Sequence, residues 1–147
     1  MALQHTTLTA LVLAAATLPA LAQNDPLAAA AAERGAVVTP SGLVYRVEKE
    51  GSGASPTATD TVKVHYRGTF PDGREFDSSY KRKQPASFPL NRVIKCWTEG
   101  LQLMKVRGKI KLTCPAAIAY GDKGAGGGEI PPGAVLRFEV ELLAINP

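Results

Sequence analysis

The sequence predicts an α+β fold in which an antiparallel sheet curls around one short amphipathic helix. Two observations support this. Several segments alternate between apolar and polar residues, which is typical of antiparallel strands with one face on a core and the other in water. Only one segment has helical periodicity. The sheet and the helix each have one apolar face, and packing them together buries both.

Strand signals begin after residue 40. Residues 44–47 are rich in β-formers, and residues 62–67 alternate strictly. His65 lies on the polar face of the second segment, so we expect it to be solvated. The turn at 71–73 contains Asp-Gly, which favours a hairpin into residues 75–77. The apolar face of the second segment carries Val62, Val64 and Tyr66.

The one helical segment has apolar residues at Ile94, Trp97, Leu101 and Met104, which are spaced by three, four and three positions. This spacing predicts a helix of about ten residues that ends near the Arg107-Gly108 pair.

Two further strands follow the helix. Residues 109–114 alternate, and residues 136–142 give the clearest alternation in the chain. Their apolar faces carry Ile110, Leu112 and Cys114 in the first strand, and Leu136, Phe138, Val140 and Leu142 in the second.

Length and composition indicate one ordinary globular domain. The chain has 147 residues, with 45% hydrophobic and 20% charged residues. The formal net charge is +4, but the 17 basic residues are spread among 13 acidic ones. The only dense basic run, at 81–83, is too short to predict a nucleic-acid partner.

The N-terminus predicts export. Residues 8–22 carry no charge, are too few to span a bilayer comfortably, and end in Ala-Leu-Ala, the small-x-small pattern of signal-peptidase sites. We therefore predict a signal peptide at 1–22, a flexible or partly helical linker at 23–40 and a folded domain at 41–147. The alternative is an uncleaved anchor. After cleavage we expect no stable membrane insertion.

Export changes the interpretation of the two cysteines, Cys96 and Cys114. An oxidising compartment permits a disulfide between them, which we favour over two free buried thiols. They are too few and too far apart to predict a zinc site, so we expect no metal.

Most catalytic chemistries are poorly supported. After signal removal one histidine remains, His65, with no evident carboxylate partner, which disfavours a hydrolase with a nucleophile–histidine pair. The glycine-rich run at 124–128 lacks the Lys-Ser/Thr of a phosphate-binding loop, so it is interpreted as a flexible loop. What remains is an enzyme without nucleophile, metal or cofactor, or a binding protein.

Sequence blocks along residues 41–146 together resemble the FKBP-type peptidyl-prolyl cis/trans isomerases, and the lead-in at 39–43 is similar to that of exported bacterial members. Any one block is weak, but the blocks occur in family order and at family spacing. They are Val64–Gly68, Asp72–Ser79, Val93–Gly100, Ala119–Gly121, Ile130–Ala134 and Leu136–Leu142.

The resemblance implies a bent antiparallel half-barrel with a pocket between helix and sheet. Trp97 would be the pocket floor, with Asp77 and Arg82 at its wall. The residues that match the family's pocket positions are Tyr66, Phe76, Val93, Ile94, Trp97, Tyr120, Ile130 and Phe138.

The resemblance also implies roles. Asp77, the Tyr120 hydroxyl and the Ile94 backbone N–H would act on the substrate, while the aromatic and aliphatic residues would hold the proline ring. The chain departs from the family at Ala86, where a pocket aromatic is common, at Cys96, where glycine is usual, and in a longer loop at 122–129.

The implied function is a prolyl isomerase that assists the folding of exported proteins in the periplasm, without a cofactor and most simply as a monomer. Its partners would be proline-containing segments of unfolded or folding proteins, and macrolides such as rapamycin and tacrolimus are candidate ligands. The alternative is a non-catalytic module that binds proline-containing segments in the same pocket.

Overall fold

The structure, a computed structural model, describes residues 25–147, so the predicted signal peptide lies outside the described residues. It contains helices α1 (Pro26–Ala31) and α2 (Lys95–Leu101) and strands β1 (Val37–Val38), β2 (Val44–Lys49), β3 (Thr61–Thr69), β4 (Glu75–Ser78), β5 (Ala86–Pro89), β6 (Lys109–Cys114) and β7 (Leu136–Ile145).

The strands form one antiparallel sheet in the order β1-β2-β6-β7-β3-β4, which confirms the α+β prediction. Strand β3 pairs with β7 along one edge, and with β4 and β5 in turn along the other. The hairpin from β3 to β4 turns at Gly73, where φ is 90°, a conformation that glycine adopts without strain. Its N–H donates to the Phe70 carbonyl at 2.9 Å.

The predicted alternation of β3, β6 and β7 is confirmed by burial, since their apolar faces are buried and form the core with α2. The expectation that His65 is solvated was wrong. Its ring stacks on Tyr80 with centroids 4.7 Å apart, and its Nδ1 lies 2.8 Å from the Ser79 hydroxyl oxygen. Residues 79–80 therefore cover the outer face of β3 at this point.

Helix α2 has seven residues and is shorter than the predicted ten. After Leu101 the chain continues through i→i+3 hydrogen bonds, and the Met104 N–H donates to the Leu101 carbonyl at 3.4 Å. A tight turn of this kind also brings every third residue to one side, so Met104 reaches the core without belonging to the helix. The spacing of apolar residues could not distinguish a longer helix from a helix followed by such a turn.

The segment predicted to be a linker packs on the sheet where it is described. Asp25 caps α1 by accepting the Leu27 N–H at 3.0 Å, and Ala30 is buried. The Glu33 carboxylate binds Lys111 of β6 at 2.9 Å. Strand β1 then pairs with β2 and adds a short edge strand to the sheet.

Cys96 of α2 and Cys114 of β6 form a disulfide, with α-carbons 5.9 Å apart. Both residues are completely buried, so this covalent link fixes the helix to the sheet beside Trp97. Within residues 25–147, no helix has the length and apolar character needed to cross a bilayer.

Candidate active site

The site is built around the indole of Trp97, which lies on α2 and is buried. Three aromatic rings from three different strands surround it, each nearly perpendicular to the indole plane. Tyr66 of β3 is at 5.1 Å and 84°, Phe88 of β5 at 5.6 Å and 88°, and Phe138 of β7 at 5.4 Å and 89°. Edge-to-face contacts of this kind are favourable and fix the rings as walls on a flat floor.

The hollow over this floor has a volume of about 450 Å³, which is within the range of small-ligand sites. Its lining is mainly apolar, with one carboxylate and one guanidinium. The residues that line it are Tyr66, Phe76, Asp77, Phe88, Arg92, Val93, Ile94, Trp97, Tyr120 and Phe138.

Asp77, on β4, is held by two donors. The Tyr66 hydroxyl donates to Asp77 Oδ2 in a short hydrogen bond, and Arg82 Nη1 donates to Oδ1 at 2.6 Å. Arg82 Nη2 also donates to the Tyr66 hydroxyl oxygen at 2.9 Å, which closes a three-membered network. The orientation of the carboxylate is therefore fixed from two directions.

This network keeps Asp77 ionised. Burial alone would raise the pKa of the carboxyl, but the hydrogen bonds from Tyr66 and Arg82 outweigh it and hold the pKa below its usual value. The pKa of Tyr66 is raised, first by burial and then by its bond to Asp77. At neutral pH the site therefore holds a carboxylate and a neutral phenol.

Tyr120 lies at the rim of the hollow, with 40% of its surface exposed. It follows the short 3₁₀ turn Ala116–Ile118, and hydrogen bonds from the Ile118 and Ala119 N–H groups to Pro115 and Ala116 hold that turn. Burial, and then the negative charge of Asp77, raise the pKa of its phenol. The hydroxyl therefore remains a neutral hydrogen-bond donor over the physiological range.

Val93 and Ile94 form the wall at the start of α2. Ile94 is the N-cap residue and has non-helical backbone angles, while its carbonyl accepts the first helical bonds from Trp97 and Thr98 at 3.0 and 3.2 Å. The first N–H groups of a helix have no carbonyl partner within the helix. This wall therefore offers backbone donors next to an apolar surface.

A second hollow of about 380 Å³ adjoins the first, and both share Phe76, Asp77 and Tyr120. Its other walls come from the glycine-rich loop after Asp122, where Ala125 and Ile130 pair through two backbone hydrogen bonds of 3.0 and 3.1 Å. The loop predicted to be flexible thus has a defined closure.

The structure brings most of the predicted site residues together. Two lie elsewhere: Ile130 lines the second hollow, and Arg82 stands behind Asp77 with half of its side chain exposed. The eight that line the first hollow are Tyr66, Phe76, Asp77, Val93, Ile94, Trp97, Tyr120 and Phe138.

Sequence analysis missed Phe88 and Arg92. Phe88 is two residues after Ala86 on the same inward face of β5, so the period-two pattern could have identified it. Arg92 ends the 3₁₀ turn Leu90–Arg92, and no sequence signal distinguishes it from other surface arginines.

The arrangement is suited to binding and orienting a group rather than to covalent attack. The hollow contains no cysteine, serine or histidine in its lining. Among residues 25–147, no three metal-ligating side chains come together.

The comparisons with known proteins agree with this geometry. Residues 53–143 match the family model described as FKBP-type peptidyl-prolyl cis-trans isomerase. The chain is 60% identical over 123 residues to the FKBP-type peptidyl-prolyl cis-trans isomerase FkpA of Aeromonas hydrophila, covering 84% of this chain and 45% of the relative. It is 52% identical over 115 residues to the FKBP-type 22 kDa isomerase of Escherichia coli, covering 78% and 55%. The chain thus spans about half the length of these curated relatives.

Solved structures give the same assignment. The crystal structure of FkpA from Escherichia coli aligns with a TM-score of 0.76 at 50% identity, covering 80% of this chain and 54% of that one. A peptidyl-prolyl isomerase from Pseudomonas syringae aligns with a TM-score of 0.77 at 38% identity, covering 83% and 89%. Because the family model matches most of the chain and the neighbours share its sheet and helix, the chain belongs to the FKBP-type peptidyl-prolyl cis-trans isomerase family.

Proposed function

We propose that this chain accelerates the cis/trans isomerisation of Xaa-Pro bonds in exported proteins. The observation that carries the proposal is the set of three rings, Tyr66, Phe88 and Phe138, standing perpendicular on the Trp97 indole. A box of this shape accepts a small apolar ring such as that of proline and leaves its imide bond at the mouth.

The chemistry requires no covalent intermediate. The Xaa-Pro bond rotates over a barrier of about 18–20 kcal/mol because twisting removes amide resonance. The planar ground state is more polar than the twisted state, so a water-poor aromatic hollow disfavours the ground state more. A pocket that binds the twisted form better than the planar form lowers the barrier.

Three groups of the site are proposed to contact the substrate. The Tyr120 hydroxyl, kept neutral, and the Ile94 backbone N–H would donate to substrate carbonyl oxygens. The Asp77 carboxylate, fixed by Tyr66 and Arg82, would provide a negative wall beside the rotating carbonyl. A barrier lowered by about 5 kcal/mol corresponds to roughly 10³–10⁴-fold acceleration.

The partners in this proposal are proline-containing segments of unfolded or folding proteins. The size and apolar lining of the hollow also suit macrolides such as tacrolimus and rapamycin. The buried Cys96–Cys114 disulfide fits an oxidising compartment, which supports a periplasmic location. Action as a monomer is part of the proposal.

A protease-coupled assay on a short Xaa-Pro-Phe peptide tests the proposal. We expect acceleration that tacrolimus or rapamycin blocks, and a lower kcat/KM for Asp77→Ala. Asp72→Ala, which removes an exposed carboxylate from the β3–β4 turn, is the matched control and should retain activity. No acceleration by a correctly folded protein would contradict the proposal. Retained peptide binding in that case would favour the non-catalytic binding module.

A further inference from the structure

The second hollow differs from the first in its charge. Its walls include the rings of Phe76 and Tyr120 and the aliphatic side chains of Ala125 and Ile130. Glu129 also lines it. The first hollow instead carries Arg92, which does not line the second. The two hollows therefore differ in charge, because Arg92 lines only the first and Glu129 lines only the second.

The Glu129 carboxylate is uncompensated within residues 25–147. Asp77, the other acid in this hollow, is paired with Arg82, whereas Glu129 forms no salt bridge with any described residue. Lys123, the nearest cation along the loop, lines neither hollow. The Glu129 carboxylate is therefore available to pair with a cationic ligand.

The loop backbone places this carboxylate. The Ala125–Ile130 pairing closes a loop in which Gly126, Gly127 and Gly128 all have positive φ, between 63° and 103°. A Cβ atom at Gly126 would lie 3.1 Å from Glu129 Oε2, so the carboxylate folds back across the loop above a residue without a side chain. The absence of a side chain at Gly126 thus leaves room for the Glu129 carboxylate.

A hollow lined by aromatic and aliphatic side chains and by a carboxylate without a salt-bridge partner suits a long basic side chain. The methylene stem of lysine or arginine packs on apolar surface while its charged head reaches a polar partner. The Phe76 and Tyr120 rings also attract cations through their faces.

We propose that the second hollow is a substrate subsite for the side chain of a lysine or arginine that flanks the isomerising proline, with Glu129 as its ion-pair partner. This inference rests on the proposed function, because the first hollow must hold the proline. It predicts that a basic residue beside the proline is favoured over an uncharged residue of similar length.

The test compares pairs of peptides that differ at one residue next to the proline, which is lysine in one peptide and the uncharged norleucine in the other. In one series this residue precedes the proline, and in a second series it follows the proline. The measured quantity is the ratio of kcat/KM for the lysine peptide to that for the norleucine peptide. For the wild type we expect a ratio of roughly two to five in one series, the size of an exposed ion pair. Glu129→Gln should bring that ratio to about one, as should high salt.

Glu50→Gln is the matched control, because it removes the same charge from an exposed residue that lines neither hollow. It should keep the wild-type ratio. If both peptides are accelerated but Glu129→Gln changes the kcat/KM ratio in neither series, the subsite is overturned. The isomerase proposal would then remain intact.

If no peptide is accelerated, the isomerase proposal fails. The subsite is then tested separately by measuring the affinity of the protein for the two peptides. Trp97 is the only tryptophan in the chain, so its fluorescence reports on peptide binding. Tighter binding of the lysine peptide that Glu129→Gln abolishes would support the subsite. Equal affinities for the lysine and norleucine peptides would overturn it.

Discussion

Removal of the disulfide should destabilise the fold by an amount that follows from its position in the chain. Cys96 and Cys114 are separated by 18 residues. In the chain-entropy model a crosslink of that span lowers the entropy of the unfolded chain by about 11 cal/mol/K, which is about 3 kcal/mol at 25 °C. Both residues are fully buried, so Cys96→Ala/Cys114→Ala adds a small packing loss to this figure.

The assay is urea unfolding followed by Trp97 fluorescence. For a domain of this size the slope is about 1–3 kcal/mol/M, so the midpoint should fall by roughly 1–3 M in the double variant. The wild type refolded under reductant should fall by slightly less, because its two thiols still fill the space. The double variant should not respond to reductant, which controls for other effects of the reagent.

Two results would refute this reasoning. One is a wild-type midpoint that does not change on complete reduction, verified by the mass of the alkylated protein. The other is the detection of two reactive thiols in the denatured, non-reduced protein, which would mean that the pair is not oxidised in solution.

Two further predictions concern the carboxylate network and the helix packing. Because the pKa of Asp77 is lowered in the fold, its contribution to the free energy of unfolding is present above its ordinary value of 3.8 and is lost as pH falls through the lowered native pKa. The stability difference between wild type and Tyr66→Phe in urea should therefore shrink in strong acid; a difference independent of pH would show that the hydroxyl acts elsewhere. Gly100→Ala would place a Cβ atom 2.7 Å from Leu112 Cδ2. Overpacking of about 1–3 kcal/mol should outweigh the gain of about 1 kcal/mol in helix propensity, and a more stable variant in the same urea assay would contradict this packing.

Strands β3, β6 and β7 were predictable because each has one face on the core and one face in solvent. In β3, β6 and β7 every second residue is apolar, and this period determines which side chains point inward whatever their partners are. The positions of Tyr66 and Phe138 on the inner face follow directly. What the pattern does not contain is strand order, so the neighbouring positions of β3 and β7 required the structure.

Other features depended on contacts between distant residues. The end of α2 was misplaced because a spacing of three fits both a helix and a tighter turn, and only the fold shows where the helix ends. The covering of His65 by Tyr80 and the docking of Glu33 on Lys111 are tertiary contacts that no local window contains. The position of Arg92 in the lining of the first hollow also depends on tertiary contacts.

The box around Trp97 also has a consequence for the protein's own folding. Its floor and walls come from β3, β5, α2 and β7, and the β7 wall belongs to a segment that is distant in sequence and pairs with β3. Pairings between distant segments form slowly, since the chain must first close long loops. A fragment without β7 would lack the Phe138 wall, so we expect the complete box to form only after this distant strand has paired.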